Sequence, residues 1–292
     1  MKLGFIGLGV MGRPMALHLM RAGHDMAVFA RRPDAMQPLL AAGACACASA
    51  ADVARRAGVV FTMVTSSEDV IDLALGENGI VEGAAPGTVL VDMSTIAPSA
   101  ARHIAAELAA RGLHMLDAPV SGGEQGAINA TLAIMVGGDE AVLERVRPLL
   151  QALGRTIVHI GASGAGQVAK ACNQLIMVAA IEAAAEALAL ARSSDVDPGK
   201  VREALAGGSA GSRVLDLFGM KMAARDFKAL VQARLHHKDF GLLFGDAVRL
   251  GTPLPIAAQV WQQLNALVAC GWGREDTSSL LLVLERASGA GN

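Results

Sequence analysis

The residues best suited to chemistry stand at the head of one long apolar run. After a glycine-rich turn, Gly161 to Gly166, the segment from Gln167 to Arg192 is rich in strong helix formers and holds no breaker. On a helix, Lys170, Asn173 and Met177 fall at i, i+3 and i+7 and share one face. A cation and an amide one turn apart can stabilise, and protonate, an oxygen that is gaining negative charge. An ammonium on an otherwise apolar helix is costly to bury unless it has a partner or a task. A lysine can also snorkel outward from a core helix, so the remainder of the chain has to decide.

Elements able to position such a pair begin at residue 2. Lys2–Ile6 reads as a short buried strand, Gly7-Leu8-Gly9-Val10-Met11-Gly12 follows, and an amphipathic helix runs to about Arg21. This is GxGxxG with a strand before and a helix after, the setting in which it binds a dinucleotide. The first glycine permits the tight turn, the second lets the backbone approach a diphosphate, and the third lets helix and strand pack closely. The diphosphate sits on the amides of the helix N-terminus. A second strand, Asp25–Phe29, ends in Ala30-Arg31-Arg32-Pro33. An NAD(H) site places a carboxylate about here for the ribose 2′-hydroxyl; this chain has Ala30 and two guanidinium forks, which suit a phosphate. NADP(H) is therefore expected as the preferred cofactor, through Arg31 and Arg32, with NAD(H) as the second choice. A solvated basic turn is the competing reading of the same residues.

Strand and helix then alternate. Helices are expected over Ala50–Ala57, Glu68–Leu75 (entered through Ser66 or Ser67) and Pro98–Arg111. Strands are expected over Val59–Val64, Val89–Asp92 and Leu113–Asp117. Such alternation predicts an α/β domain with a doubly wound parallel sheet. Three loops leave the carboxyl ends of its strands, where such sheets bind ligands. Val64-Thr65-Ser66 and Ser94-Thr95-Ile96 flank the cofactor. The third, Ala118 to Gly123, can offer the Ser121 hydroxyl and the Gly122 and Gly123 amides to a carboxylate, although a plain turn explains it as well. Strands at Thr131–Val136 and Thr156–Ile160 enclose a helix, Asp139–Leu153, and the first domain closes near Gly161. Beyond Arg192 only helical segments follow, one opening at Asp197-Pro198, others near Val214–Met222, Leu235–Leu250, Pro255–Cys270 and Ser278–Arg286. The predicted domains are 1–161 and an all-α 162–292, joined by the long helix at about 167–192.

Composition narrows the class. At 292 residues the chain suits two domains. Its net charge of −2, spread in mixed sign, gives neither a nucleic-acid footprint nor a polybasic membrane anchor. The apolar stretch Leu175–Ala191 is interrupted by Glu182 and Glu186, which argues for a core or interface helix over a membrane span. Four cysteines without CxxC spacing read as reduced, mostly buried thiols. No secretory signal is read at the start, so a cytoplasmic location is expected. His236-His237 is a poor chelate, since adjacent helix residues diverge by about 100°, and no metal is expected.

Four motifs, GFIGLGVMG, DAPVSGG at Asp117–Gly123, GAGQVAKACN at Gly164–Asn173 and Lys238-Asp239, resemble the β-hydroxyacid dehydrogenases in their order along the chain. The likeness covers essentially the whole chain. It implies a Rossmann-type front domain, a helical rear domain, a site in the cleft between them, and a homo-oligomer, dimer or tetramer. By motif position it makes Lys170 the catalytic lysine, Asn173 the substrate-orienting amide, and Ser121, Gly122 and Gly123 the carboxylate loop. Thr95 and Lys238 fall at the nicotinamide end, and Gly7 to Gly12, Val64 and Thr65 at the rest of the cofactor. Thr65 stands where proline is common in the family, and Ala30 where some relatives carry Asp. The activity implied is reduction of a small carboxylated semialdehyde, foremost tartronate semialdehyde to glycerate. Alternatives are a 3-hydroxyisobutyrate dehydrogenase or other short-chain semialdehyde reductase and, from another class, a non-catalytic dinucleotide sensor. Relatives of 6-phosphogluconate dehydrogenase carry His-Asn where this chain has Cys172-Asn173, and imine reductases usually lack the lysine. Burial beside a basic cofactor site is expected to lower the Lys170 pKa toward the working pH.

Overall fold

The computed structural model describes residues 1–289. The chain divides into two compact units, Met1–Lys170 and the part from Ala171 onward.

The first unit is built on nine strands: β1 Lys2–Ile6, β2 Asp25–Phe29, β3 Cys45–Ala46, β4 Val59–Thr62, β5 Val89–Asp92, β6 His114–Asp117, β7 Val120–Ser121, β8 Leu132–Gly137 and β9 Gly154–Gly161. They lie in the order β3-β2-β1-β4-β5-β6-β8-β7, with β9 added to β8. From β3 to β6 every pairing is parallel, with Leu3 opposite Val59, Val59 opposite Val89 and Asp92 opposite Asp117. The central strands are apolar at nearly every position because both faces are covered. Phe5, Phe61 and Val91 serve one core, with the two phenyl rings stacked at 5.9 Å, while Ile6, Val60 and Leu90 serve the other. The expected alternation is present. At the far edge β8 runs antiparallel to β6 and β7, so the sheet is mixed there.

Helices α1 Gly12–Arg21, α2 Gln37–Ala41, α3 Ala50–Arg56, α4 Ser67–Leu75, α5 Ile80–Gly83, α6 Pro98–Ala109, α7 Gly123–Ile128 and α8 Glu140–Gln151 connect the strands. Ser66 caps α4 by accepting from the Asp69 amide, and Asp139 caps α8 by accepting from Ala141 and Val142. Of the cysteines only Cys47 is buried; Cys45 and Cys172 are exposed, which corrects the expectation of mostly buried thiols. Cys45 lies on a two-residue edge strand that covers little.

Helix α9, Ala165–Ser193, starts in the first unit and continues into the second. Its length and composition would suffice to cross a membrane. Val178, Ile181, Ala185 and Leu188, however, are buried in the core of the second unit, so it is a core helix. Glu186 is exposed, but Glu182 is only 5 % exposed, and neither of its oxygens has a hydrogen-bond partner. Burial, reinforced by Glu186 one turn away, pushes its carboxyl up to about 7.

Around that segment pack α10 Pro198–Ala206, α11 Met220–Ala224, α12 Ala233–Leu250, α13 Pro255–Ala269 and α14 Leu280–Ala287. Asp197 caps α10 with Pro198 at its first position. Where one helix is expected over 214–222, a turn of π-helix at Leu215–Gly219 precedes α11. Glu285, buried in α14, is held by Arg225 at 2.8 Å and Arg192 at 3.4 Å.

Candidate active site

The glycine turn closes over the end of β1. Gly7 has φ +95°, and a Cβ on Gly12 would lie 2.0 Å from the Gly7 carbonyl, so helix and turn meet only without side chains. A Cβ on Gly9 would meet nothing within 4 Å. Two glycines are therefore fixed by packing, and the middle one borders open space at the head of α1, between exposed Val10 and the chain's own turn. Leu8 is buried and Met11 half-buried beneath it. These residues fit a dinucleotide diphosphate, which needs backbone amides and room for close approach.

Around this turn the structure gathers the other expected cofactor residues of the first unit. Val64 follows β4, and its amide donates to the Ser94 hydroxyl at 2.9 Å. Thr65 is exposed and Thr95 half-buried. Arg31 and Arg32 follow β2 and are exposed; Arg31, 80 % accessible, lies 3.2 Å from the Asp69 carboxylate at the start of α4. Part of the Arg31 fork thus already faces an anion.

Lys170 is 8 % exposed, and its Nζ donates to the Val120 carbonyl at 2.8 Å. Val120 and Ser121 form β7, so the third loop is a strand paired to β8, with Ser121 opposite Ala133, rather than a plain turn. The ammonium is therefore fixed beside Ser121, Gly122 and Gly123. Two residues that sequence reasoning did not single out set this arrangement. Asp117, at the end of β6, accepts from the Gly164 amide at 2.7 Å and the Gln167 amide at 3.0 Å, and so ties the first turn of α9 to the sheet. Burial pushes its carboxyl up to about 6 against the opposing pull of those two bonds. Gln167 donates to the Ser94 carbonyl at 2.8 Å and accepts from the Ile96 amide at 3.1 Å, gripping the loop on both sides of Thr95. The signal was present, since both residues are polar members of apolar motifs.

Asn173, Lys238 and Asp239 belong to the second unit. Lys238 Nζ lies 3.0 Å from Asp239 Oδ1; Gln174 donates to Asp239 Oδ2 at 2.5 Å; Asn173 donates to Gln174 Oε1 at 2.8 Å. His236 and His237 turn to different partners, Thr277 and Asn265. Among the described residues no three His, Cys, Asp or Glu side chains gather as a metal set.

Comparison with known proteins decides the family. Residues 2–161 match the NAD-binding domain of 6-phosphogluconate dehydrogenase, and residues 164–284 match the NAD-binding region of NADP-dependent 3-hydroxyisobutyrate dehydrogenase. A 2-hydroxy-3-oxopropionate reductase from Escherichia coli is 44% identical over 98% of this chain and 97% of its own. The chain belongs to the β-hydroxyacid dehydrogenase family. An NAD-dependent L-serine dehydrogenase of Pseudomonas aeruginosa is 38% identical over 99% of both chains. A Mycobacterium tuberculosis 3-hydroxyisobutyrate dehydrogenase structure with L-serine aligns with a TM-score of 0.89 at 33% identity, covering 97% of this chain and 98% of that one. As a β-hydroxyacid dehydrogenase it is an NAD(P)-dependent oxidoreductase with a Rossmann front domain and a helical rear domain joined by α9.

Proposed function

We propose that the protein reduces tartronate semialdehyde to glycerate, with NADPH as the preferred reductant. The observation that carries the reading is the buried Lys170 ammonium held on the Val120 carbonyl, beside the Ser121 to Gly123 segment. Similarity to the E. coli reductase supports the substrate, and Ala30 followed by Arg31 and Arg32 supports the cofactor. When bound, the nicotinamide supplies a hydride to the carbonyl carbon. Lys170 then stabilises the charge growing on the carbonyl oxygen and gives that oxygen a proton; in the oxidative direction the same amine takes the proton back. Ser121 Oγ with the Gly122 and Gly123 amides holds the substrate carboxylate and fixes its distance to the reacting carbon. Asn173, one turn along α9, orients the carbonyl oxygen or the hydroxyl next to it. Thr95 and Lys238 contact the nicotinamide end, Gly7 to Gly12 the diphosphate, and Val64 and Thr65 the adjoining part of the cofactor.

A second reading, oxidation of 3-hydroxyisobutyrate, serine or a similar β-hydroxyacid, is favoured by the dehydrogenase relatives from P. aeruginosa. We also propose functional boundaries near 161, a cytoplasmic location and a homodimer or homotetramer.

Initial rates of NADPH oxidation with tartronate, methylmalonate and succinic semialdehydes test the proposal. Turnover confined to the first supports it; faster turnover of another moves the substrate while leaving the mechanism. Lys170→Ala should lower kcat by about a thousandfold or more while NADPH still binds. Near-normal kcat in that variant would overturn the role of Lys170, and NADPH binding without any turnover in the parent would replace catalysis with a sensor role.

A further inference from the structure

We infer that Asp239 and Gln174 are positioning residues that dictate which atoms Asn173 presents to the substrate. The inference rests on the reading of Asn173 as the substrate-orienting amide. Asp239 is 8 % exposed and Gln174 4 %, so little water is at hand to complete their hydrogen bonding. Paired with the Lys238 ammonium at 3.0 Å, the Asp239 carboxylate can only accept. Gln174 must therefore turn its NH2 group toward Asp239 Oδ2, which it meets at 2.5 Å. Its carbonyl Oε1 then points the other way, where only a donor suits it. Asn173 supplies that donor through Nδ2 at 2.8 Å. The polarity of the Asn173 amide follows: one N–H is committed to Gln174, while Oδ1 and the second N–H are directed elsewhere.

Reversing Gln174 would set its oxygen against the Asp239 carboxylate and its NH2 against that of Asn173, and reversing Asn173 would set two oxygens together; Gln174 and Asp239 are buried, so solvent gives them little relief. A carboxylate and an ammonium on α12 thus fix the facing of an amide on α9 through one intermediary, with no proton moving along the chain. For a group that must meet a carbonyl oxygen before the reaction and a hydroxyl after it, a settled facing spares reorganisation during turnover. Gln174 acts through Asn173 and contacts no reacting atom.

Gln174→Leu and Gln174→Glu in the full-length protein test this. The leucine variant removes the intermediary and leaves the Lys238–Asp239 pair intact. Its kcat should fall about tenfold or more at every pH, with NADPH affinity by fluorescence titration unchanged. In the glutamate variant the new carboxyl faces Asp239 across a short contact, so the two hold one proton between them. While that proton is kept, the O–H donates to Asp239 and the C=O accepts from Asn173, as the parent amide does. Once it is lost, the carboxylates separate and Asn173 is released. The glutamate variant should therefore show near-parent kcat in acid and a basic limb that neither the parent nor the leucine variant has. A role in packing alone would leave both profiles with the parent shape. A leucine variant within about threefold of the parent, or a glutamate variant with the parent profile, would overturn the inference.

A readout independent of turnover is the side-chain amide signals of Asn173 in the cofactor-free protein. The bond to Gln174 should hold them away from the positions of a solvated amide in the parent; they should return toward those positions in the leucine variant, and do so with rising pH in the glutamate variant. If those signals respond while no semialdehyde is turned over by the parent, the functional reading fails and the positioning stands. If the parent turns over and the signals are unmoved by either substitution, the positioning fails alone.

Discussion

Consider Glu182 replaced by glutamine. In the native protein its carboxyl is buried without a hydrogen bond, near Glu186, and titrates at about 7 against an ordinary 4.5. At about 1.4 kcal/mol for each tenfold in proton affinity, the ionised form costs the fold about 3 kcal/mol. The sign follows from which state holds the proton. Below pH 4.5 the group is protonated whether folded or unfolded, and the full contribution to stability is present. Between 4.5 and 7 the unfolded chain loses the proton and the folded chain keeps it, so stability declines with pH. Above 7 both states are ionised and the contribution is gone. Glutamine imitates the protonated form at every pH. Glu182→Gln should thus match the parent near pH 4.5 and exceed it by about 3 kcal/mol at pH 8.5, or about 1–2 M in urea midpoint. Trp261 and Trp272, the chain's two tryptophans, both lie in the second unit, so their fluorescence follows that unit's unfolding. Parallel pH profiles for parent and variant would refute the reasoning.

Three further outcomes follow from the first unit. Gly12→Ala should fail to fold or lose most of its stability, since the new methyl overlaps the Gly7 carbonyl; Gly9→Ala should keep the parent melting temperature yet bind dinucleotide at least about tenfold more weakly, read by thermal melts and NADPH titration. Arg31→Ala should raise the Michaelis constant for NADPH far more than that for NADH, and equal changes would remove the 2′-phosphate assignment. Asp117 takes up a proton near pH 6, weakening its hold on the first turn of α9; Asp117→Asn should lower kcat at pH 8, where an amide N–H confronts the Gln167 N–H, and should abolish any fall in kcat between pH 7 and 5 that is present in the parent.

What the sequence disclosed was whatever local chemistry compels. A tight turn against a helix demands glycine at 7 and 12, and an aspartate before an apolar periodic run caps it, as Asp139 and Asp197 do. What stayed hidden depends on distant partners. Val120–Ser121 is a strand only because β8 lies alongside, and Cys45–Ala46 only because β2 does. Asp117, Gln167 and Gln174 lie inside or beside recognised motifs, but their work is done on residues 47 to 73 positions away, which no spacing rule reveals. Glu182 and Glu186 stood out equally as charges in an apolar run; they lie one turn apart on the same side of α9, yet packing covers the first and leaves the second at the surface.

The resemblance of α9 to a membrane span matters before the protein is finished. On the ribosome, Ala165–Ser193 emerges ahead of the helices whose side chains will cover it, and α14, with Leu280, Leu281 and Val283 buried, comes last of all. During that interval the nascent segment offers translocation machinery an apolar stretch of spanning length. A carboxylate near the middle of such a stretch opposes insertion by on the order of 3 kcal/mol. Glu182, a burden on the completed core, is on this argument a safeguard of the unfinished chain. Glu182→Leu should make the purified protein more stable and, fused to a translocation reporter, make residues 165–193 insert more readily; an unchanged insertion fraction would confine the role of Glu182 to the folded state.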